Sequence, residues 1–151
     1  LAALRRGEDF RVIEINGATM LNDSYNSNPE ALKSMIRTLA VLPATRRILV
    51  AGEMLELGQH APALHADCGK SAAEAGIDLV IGVRGNATYL ATAACEAGVS
   101  SLFLPDAEAA GAWLKSNLLG GDVVLLKGSR GVRLERALEI LKSFFTSSER
   151  V

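Results

Sequence analysis

Apolar and polar positions along the chain change period in a regular order. Residues 10–15, FRVIEI, and 18–22, ATMLN, are short strand-like runs that flank Asn16-Gly17. Both positions of that dipeptide tolerate positive φ, so the pattern predicts a β-hairpin. From Pro29 the period becomes helical: Leu32, Met35, Ile36, Leu39 and Leu42 recur three or four apart, with Asn28 as N-cap, Pro29 at the first helical position and Pro43 as the stop. Four β-branched or leucine-rich runs follow, RRILVAG (46–52), IDLVIGV (77–83), SLFL (101–104) and DVVLLKG (122–128). Helical stretches follow them at about 63–75, 86–98, 107–118 and 132–145.

Short strands separated by helices of ten or more residues require right-handed crossovers and a parallel sheet covered on both faces. The predicted fold is therefore a doubly wound, mostly parallel α/β sheet of Rossmann-like type carrying an N-terminal β-hairpin, formed by residues 1–151 as a single domain. Such sheets bind ligands beyond the carboxyl ends of their strands. That places the loops 23–28, 52–61, 82–86, 104–106 and 127–131 ahead of all others.

Composition narrows the function classes. With 16 Lys and Arg against 17 Asp and Glu, the net charge is −1, and neither a nucleic-acid footprint nor a membrane-surface charge is present. No apolar run reaches the ~20 residues that cross a bilayer. Two cysteines, Cys68 and Cys95, stand far apart in helical stretches, which is the usage of a reducing cytoplasm, and both are expected to be small buried hydrophobes. The opening LAALRRGEDF has no signal-peptide order and reads like the end of a helix begun elsewhere, so an excised domain is expected.

Several motifs offer chemistry. In LKGSRGVRLER (126–136), Lys127, Arg130 and Arg133 collect where a helix is expected to start. Cations oppose the macrodipole there, and a bound carboxylate or phosphate would reverse the sign. A solvated turn whose arginines pair with Glu135 or Glu139 is the alternative. Gly69-Lys70-Ser71 suggests a P-loop, but the glycine required five residues earlier is Leu64, so the phosphate cradle is missing. GVRGNA (82–87) follows a strand yet lacks the third glycine of a dinucleotide turn. His60 and His65, near Glu53 and Glu56, do not have metal-site spacing, and loop anchoring or capping explains them better. Glu53, directly after the ILVAG strand, could cap a neighbouring backbone or accept from a substrate ammonium. In NDSYNSNPEAL (22–32), Asn28 and Pro29 are explained by the helix start. Asp23, Tyr25 and Asn26 are not, and a carboxylate, an aromatic face and an amide together suit a nucleoside.

Three of these loops, NDSYNSNPEAL, AGEMLELG and LLKGSRG, in this order, resemble the C-terminal domain of the Mur ligases. The forms DSYN-x-NP and KGSR are most similar to those of ligases that add D-alanyl-D-alanine to UDP-N-acetylmuramoyl-tripeptide in peptidoglycan synthesis. The resemblance implies a cytoplasmic, ATP-dependent amide ligation through an acyl phosphate, with ATP and magnesium held mainly by a preceding central domain. It implies that this domain closes over the nucleotide, contributes no catalytic residue, and is inactive alone. By position, Asp23, Tyr25, Asn26 and Asn28 would line the ATP side. Arg6, or its neighbour Arg5, would reach the phosphates from the hinge. Lys127, Ser129, Arg130 and Glu53 would face the amino substrate. The implied partners are the two small-molecule substrates and the protein's own central domain, with no nucleic acid, membrane insertion or metal ligand. A sister ligase that adds another amino acid or extends folate with glutamate, or a non-catalytic anion-binding α/β module, are the alternatives.

Overall fold

The computed structural model describes residues 11–24, 27–128 and 130–145, and the backbone of 147–150. The hairpin forms as the Asn16-Gly17 signal requires, with φ of 50° and 80° at the two turn positions. It joins β1 (Arg11–Ile15) to β2 (Ala18–Asp23) in antiparallel register, Ile15 opposite Ala18. The chain continues through α1 (Pro29–Val41), β3 (Arg46–Gly52), α2 (Ala61–Glu74), β4 (Leu79–Val83), α3 (Ala87–Glu96), β5 (Ser100–Leu104), α4 (Ala107–Asn117), β6 (Asp122–Lys127), α5 (Glu135–Phe144) and β7 (Ser147–Arg150). The predicted cap of α1 is present: Asn28 Oδ1 accepts from the Ala31 N–H at 2.9 Å.

The sheet order is β5-β4-β3-β6-β2-β1-β7. Strands β5, β4, β3, β6 and β2 are parallel, while β1 pairs antiparallel with both β2 and β7. Two apolar layers follow from strand alternation. Leu21, Leu49, Val80 and Leu125 pack under α1, α2 and α3; Met20, Val50, Ile81, Val124 and Leu126 pack under α4 and α5. Strand β7 is an addition to the predicted pattern, since SSER carries no apolar alternation from which to read it.

Two expectations are corrected here. The last helix begins at Glu135, not near Val132, because Arg133 takes φ 58° and residues 131–134 form a turn. Lys127, Arg130 and Arg133 are therefore not gathered on a helix N-terminus. Cys95 is exposed on the outer side of α3, whereas Cys68 is buried as expected. Burial pushes the Cys68 thiol up to about 11, which leaves it inert near neutrality.

The failed P-loop reading now has a positive cause. Gly69 lies inside α2 where that helix crosses α3, and a Cβ there would sit 2.2 Å from the Leu90 carbonyl oxygen. Its absence lets the two helices approach closely. At the amino edge of the sheet Asp122, almost fully buried, receives a bidentate guanidinium from Arg46 at 2.9 and 2.7 Å and the Leu119 N–H at 2.8 Å. This lock lies at the opposite end from the ligand-bearing loops. Gly69→Ala is expected to lower stability by about 1–3 kcal/mol through backbone crowding, measured as a lower urea midpoint with an unchanged slope.

Candidate functional site

The order of β6 in the sheet makes the site. β6 lies between β2 and β3, yet the chain leaves β2 and β3 toward α1 and α2 on one face and leaves β6 toward α5 on the other. Loops that depart to opposite faces cannot pack together at their roots, and a crevice opens between them. Here it is an open cleft of about 480 Å³ lined by Ser27, Asn28, Leu55, Glu56, Leu57, Arg130 and Gly131. These residues come from the loops after β2, β3 and β6. Asn28 and Arg130, which the family resemblance placed on the nucleotide and amino-substrate sides, thus share one cleft.

At its root stands an ion pair. Asp23 and Lys127 are register partners in parallel strands, and each lies two residues beyond a leucine of the α1–α3 layer, so both side chains project to that face. Lys127 Nζ is 2.8 Å from Asp23 Oδ2, with the two side chains 5% and 15% exposed. A buried ammonium needs such a partner.

Glu53 leaves the end of β3 and turns sideways, its N–H donating to the Val83 carbonyl at 2.9 Å. Its Oε2 accepts from the Asn86 backbone N–H at 2.8 Å and from Asn86 Nδ2 at 3.1 Å. Arg84 Nε lies 3.7 Å from Glu53 Oε1, and Arg84 Nη1 donates to the Gly131 carbonyl. Of the two roles open to Glu53, backbone capping is thus occupied by the β4–α3 turn.

His65 holds the next residue. The Met54 N–H donates to His65 Nε2 at 2.9 Å, which fixes Nε2 as acceptor and puts the ring proton on Nδ1, 2.7 Å from the Ala61 carbonyl. The ring is fully buried. Burial lowers its pKa from the ordinary 6.5, against the opposing influence of the Ala61 hydrogen bond and the Glu53 charge.

Asp23, Asn28, Lys127 and Arg130 therefore come together at the carboxyl edge, and Glu53 stands one strand away. Arg6 with Arg5, Tyr25, Asn26 and Ser129 lie outside the described residues. Sequence reasoning did not assign Arg84, Leu55 or Glu56 to the site. The only signal for Arg84 was the loop GVRG after a strand, weighed as a nucleotide turn. Among the described residues no three His, Cys, Asp or Glu are placed to hold a metal ion. No described helix is long and apolar enough to cross a membrane.

Residues 6–130, which include Asp23, Asn28, Glu53, Lys127 and Arg130, match the family described as Mur ligase, glutamate ligase domain. The chain belongs to that Mur ligase family. Among its relatives, the Escherichia coli (strain K12) UDP-N-acetylmuramoyl-tripeptide–D-alanyl-D-alanine ligase is 35% identical over 138 residues, covering 90% of this chain and 29% of that one. The Bacillus subtilis (strain 168) enzyme of the same name is 32% identical over 136 residues, covering 87% and 29%. The Thermotoga maritima MurF ligase, solved in complex with ADP, superposes with a TM-score of 0.72 at 30% identity over 87% of this chain and 30% of that one. A MurF from Acinetobacter baumannii shares the fold at TM-score 0.78 and 22% identity, over 87% and 30%. The chain thus spans less than a third of the length of these Mur ligases.

Two measurements test the site's framework. Lys127→Met leaves the Asp23 carboxylate without its lysine and is expected to cost about 3 kcal/mol, while adding Asp23→Asn recovers much of the loss; denaturant melts of the single and paired variants decide it. For His65 the folded pKa lies below the unfolded one, so its contribution is complete above pH 6.5 and is lost as pH falls below 6.5. The drop in urea midpoint between pH 7.5 and 5 is expected to be larger in the parent than in His65→Gln.

Proposed function

We propose that this chain acts as the C-terminal domain of a cytoplasmic ligase that joins D-alanyl-D-alanine to UDP-N-acetylmuramoyl-tripeptide, using ATP and magnesium. The observation that carries the reading is the cleft at the sheet's switch point, in which the loops after β2, β3 and β6 meet. The relatives at 35% and 32% identity carry the name of that reaction, and the Thermotoga maritima relative was solved with ADP.

The reaction class is amide formation by attack of an amine on an acyl phosphate. The residues of this domain orient and exclude water. Asp23, held by Lys127, offers carboxylate lone pairs to ribose hydroxyls, and Asn28 borders the same side. Arg130 offers its guanidinium to the dipeptide carboxylate, a charge-assisted contact that fixes which end of the dipeptide faces the acyl group. Leu55 and Leu57 supply apolar wall for the small methyl side chains of the dipeptide. In this reading, as the family resemblance implies, the ATP phosphates and magnesium are held mainly by the preceding central domain.

The test is phosphate release by this chain joined to its central and N-terminal domains. D-alanyl-D-alanine is expected to support release where single amino acids do not, and Arg130→Gln is expected to raise the KM for the dipeptide roughly ten- to hundredfold. Equal release with a single amino acid in place of the dipeptide would move the assignment to a sister ligase.

A further inference from the structure

Arg84 has no place in the reaction as set out above, yet its side chain reaches from the loop after β4 to those after β3 and β6. Its backbone is fixed from one side: the Arg84 N–H donates to the carbonyl of Leu104, the last residue of β5, at 2.9 Å. Its side chain runs the other way, past Glu53 at the end of β3, with Nε 3.7 Å from Oε1, and ends on the carbonyl of Gly131 in the loop after β6. Neighbouring strands lie about 4.8 Å apart, so this path from β4 across β3 to β6 covers roughly 10 Å. Only a long side chain with separate donors on one rigid fork can engage a carboxylate and a carbonyl at once.

The surroundings are shaped to this bridge. Arg84 holds φ 73°, a left-handed conformation that glycine takes without cost and arginine does not. Gly85 leaves room for the Glu53 carboxylate, since a Cβ there would lie 2.2 Å from Oε2. Gly131 leaves room for Leu55, 2.5 Å from the position a Cβ would take, with Arg84 Nη1 at 3.8 Å. A side chain that serves no purpose would not be kept at a backbone position that suits glycine better.

We propose that Arg84 is a positioning residue: by tying the Gly131 carbonyl to Glu53, it sets the 130–131 turn against Leu55 and so fixes the direction in which Arg130 meets the carboxylate of the amino substrate. The part concerning the substrate rests on the function proposed above. The bridge itself does not.

Arg84→Gly separates positioning from structural support, because it relieves the positive φ while removing the fork. In this chain, amide exchange at Arg130, Gly131 and Val132 is expected to quicken roughly tenfold, the scale of one lost hydrogen bond, while Tm is kept or raised. Arg84→Lys, with a single ammonium, is expected to quicken it too. In the joined enzyme, Arg84→Gly is expected to raise the KM for D-alanyl-D-alanine roughly tenfold and leave the KM for ATP within about twofold. Unchanged exchange at 130–132 overturns the bridge, and an unchanged dipeptide KM in an active enzyme overturns its role in catalysis. If the parent enzyme releases no phosphate with the dipeptide, the ligase reading fails, and the exchange rates still decide whether Arg84 sets the turn.

Discussion

Everything at the ligand-bearing edge depends on β6 entering the sheet between two strands that it does not follow in sequence. That insertion is stabilised on both sides by continuous parallel ladders, from Thr19 opposite Val123 to Asp23 opposite Lys127, and from Arg46 opposite Asp122 to Ala51 opposite Lys127. Each end of β6 carries a buried charge with a partner on a neighbouring strand: Asp122 with Arg46 of β3, and Lys127 with Asp23 of β2. A one-residue slip of β6 would set Val123 or Gly121 opposite Arg46 and Gly128 or Leu126 opposite Asp23, parting the buried charges from their partners. The ion pairs therefore define register more than they add stability, and the cleft exists only in that register.

Strain is not spread evenly over this scaffold. Among the described residues four non-glycines have positive φ. Asn16 sits in the hairpin, where asparagine is a good choice. Glu56, Arg84 and Arg133 belong to three of the four loops that line or brace the cleft. Each such residue costs of order 1 kcal/mol, and the rigid strands beneath can hold the conformation. His65 helps from below by fixing Met54, two residues before Glu56, through a ring that must stay neutral.

The fold was legible because its signals are local. Asn16-Gly17, Asn28-Pro29 and the alternation of apolar runs with helical stretches each report on a few neighbouring residues, and the structure follows them to within a few positions. The position of β6 is not a local property, so the meeting of Asp23 with Lys127 could not be read from spacing. Arg133 was misleading for a related reason: VRLERALEILKSFF reads as one helix, but the left-handed residue Arg133 delays its start to Glu135. Loop identity was readable at the cleft, since Asn28 and Arg130 were both named. For Glu53 a backbone cap was foreseen, but its partners Asn86 and Arg84 were not, because they depend on a lateral contact between adjacent loops. Arg6 and Ser129 rest on the family resemblance alone, and Tyr25 and Asn26 on the resemblance together with the residue types of their loop.

The outermost strand on the hairpin side has a further consequence. β7 completes the hydrogen bonds of β1, with Val12 opposite Arg150 and Ile15 opposite Ser147, and so moves the sheet's boundary from an apolar sequence, RVIEI, to a polar one, SSER. An edge strand made of serine and charged residues is a poor template for pairing with another chain. Backbone pairing with a polar tetrapeptide thereby shields the apolar strand β1 from such pairing.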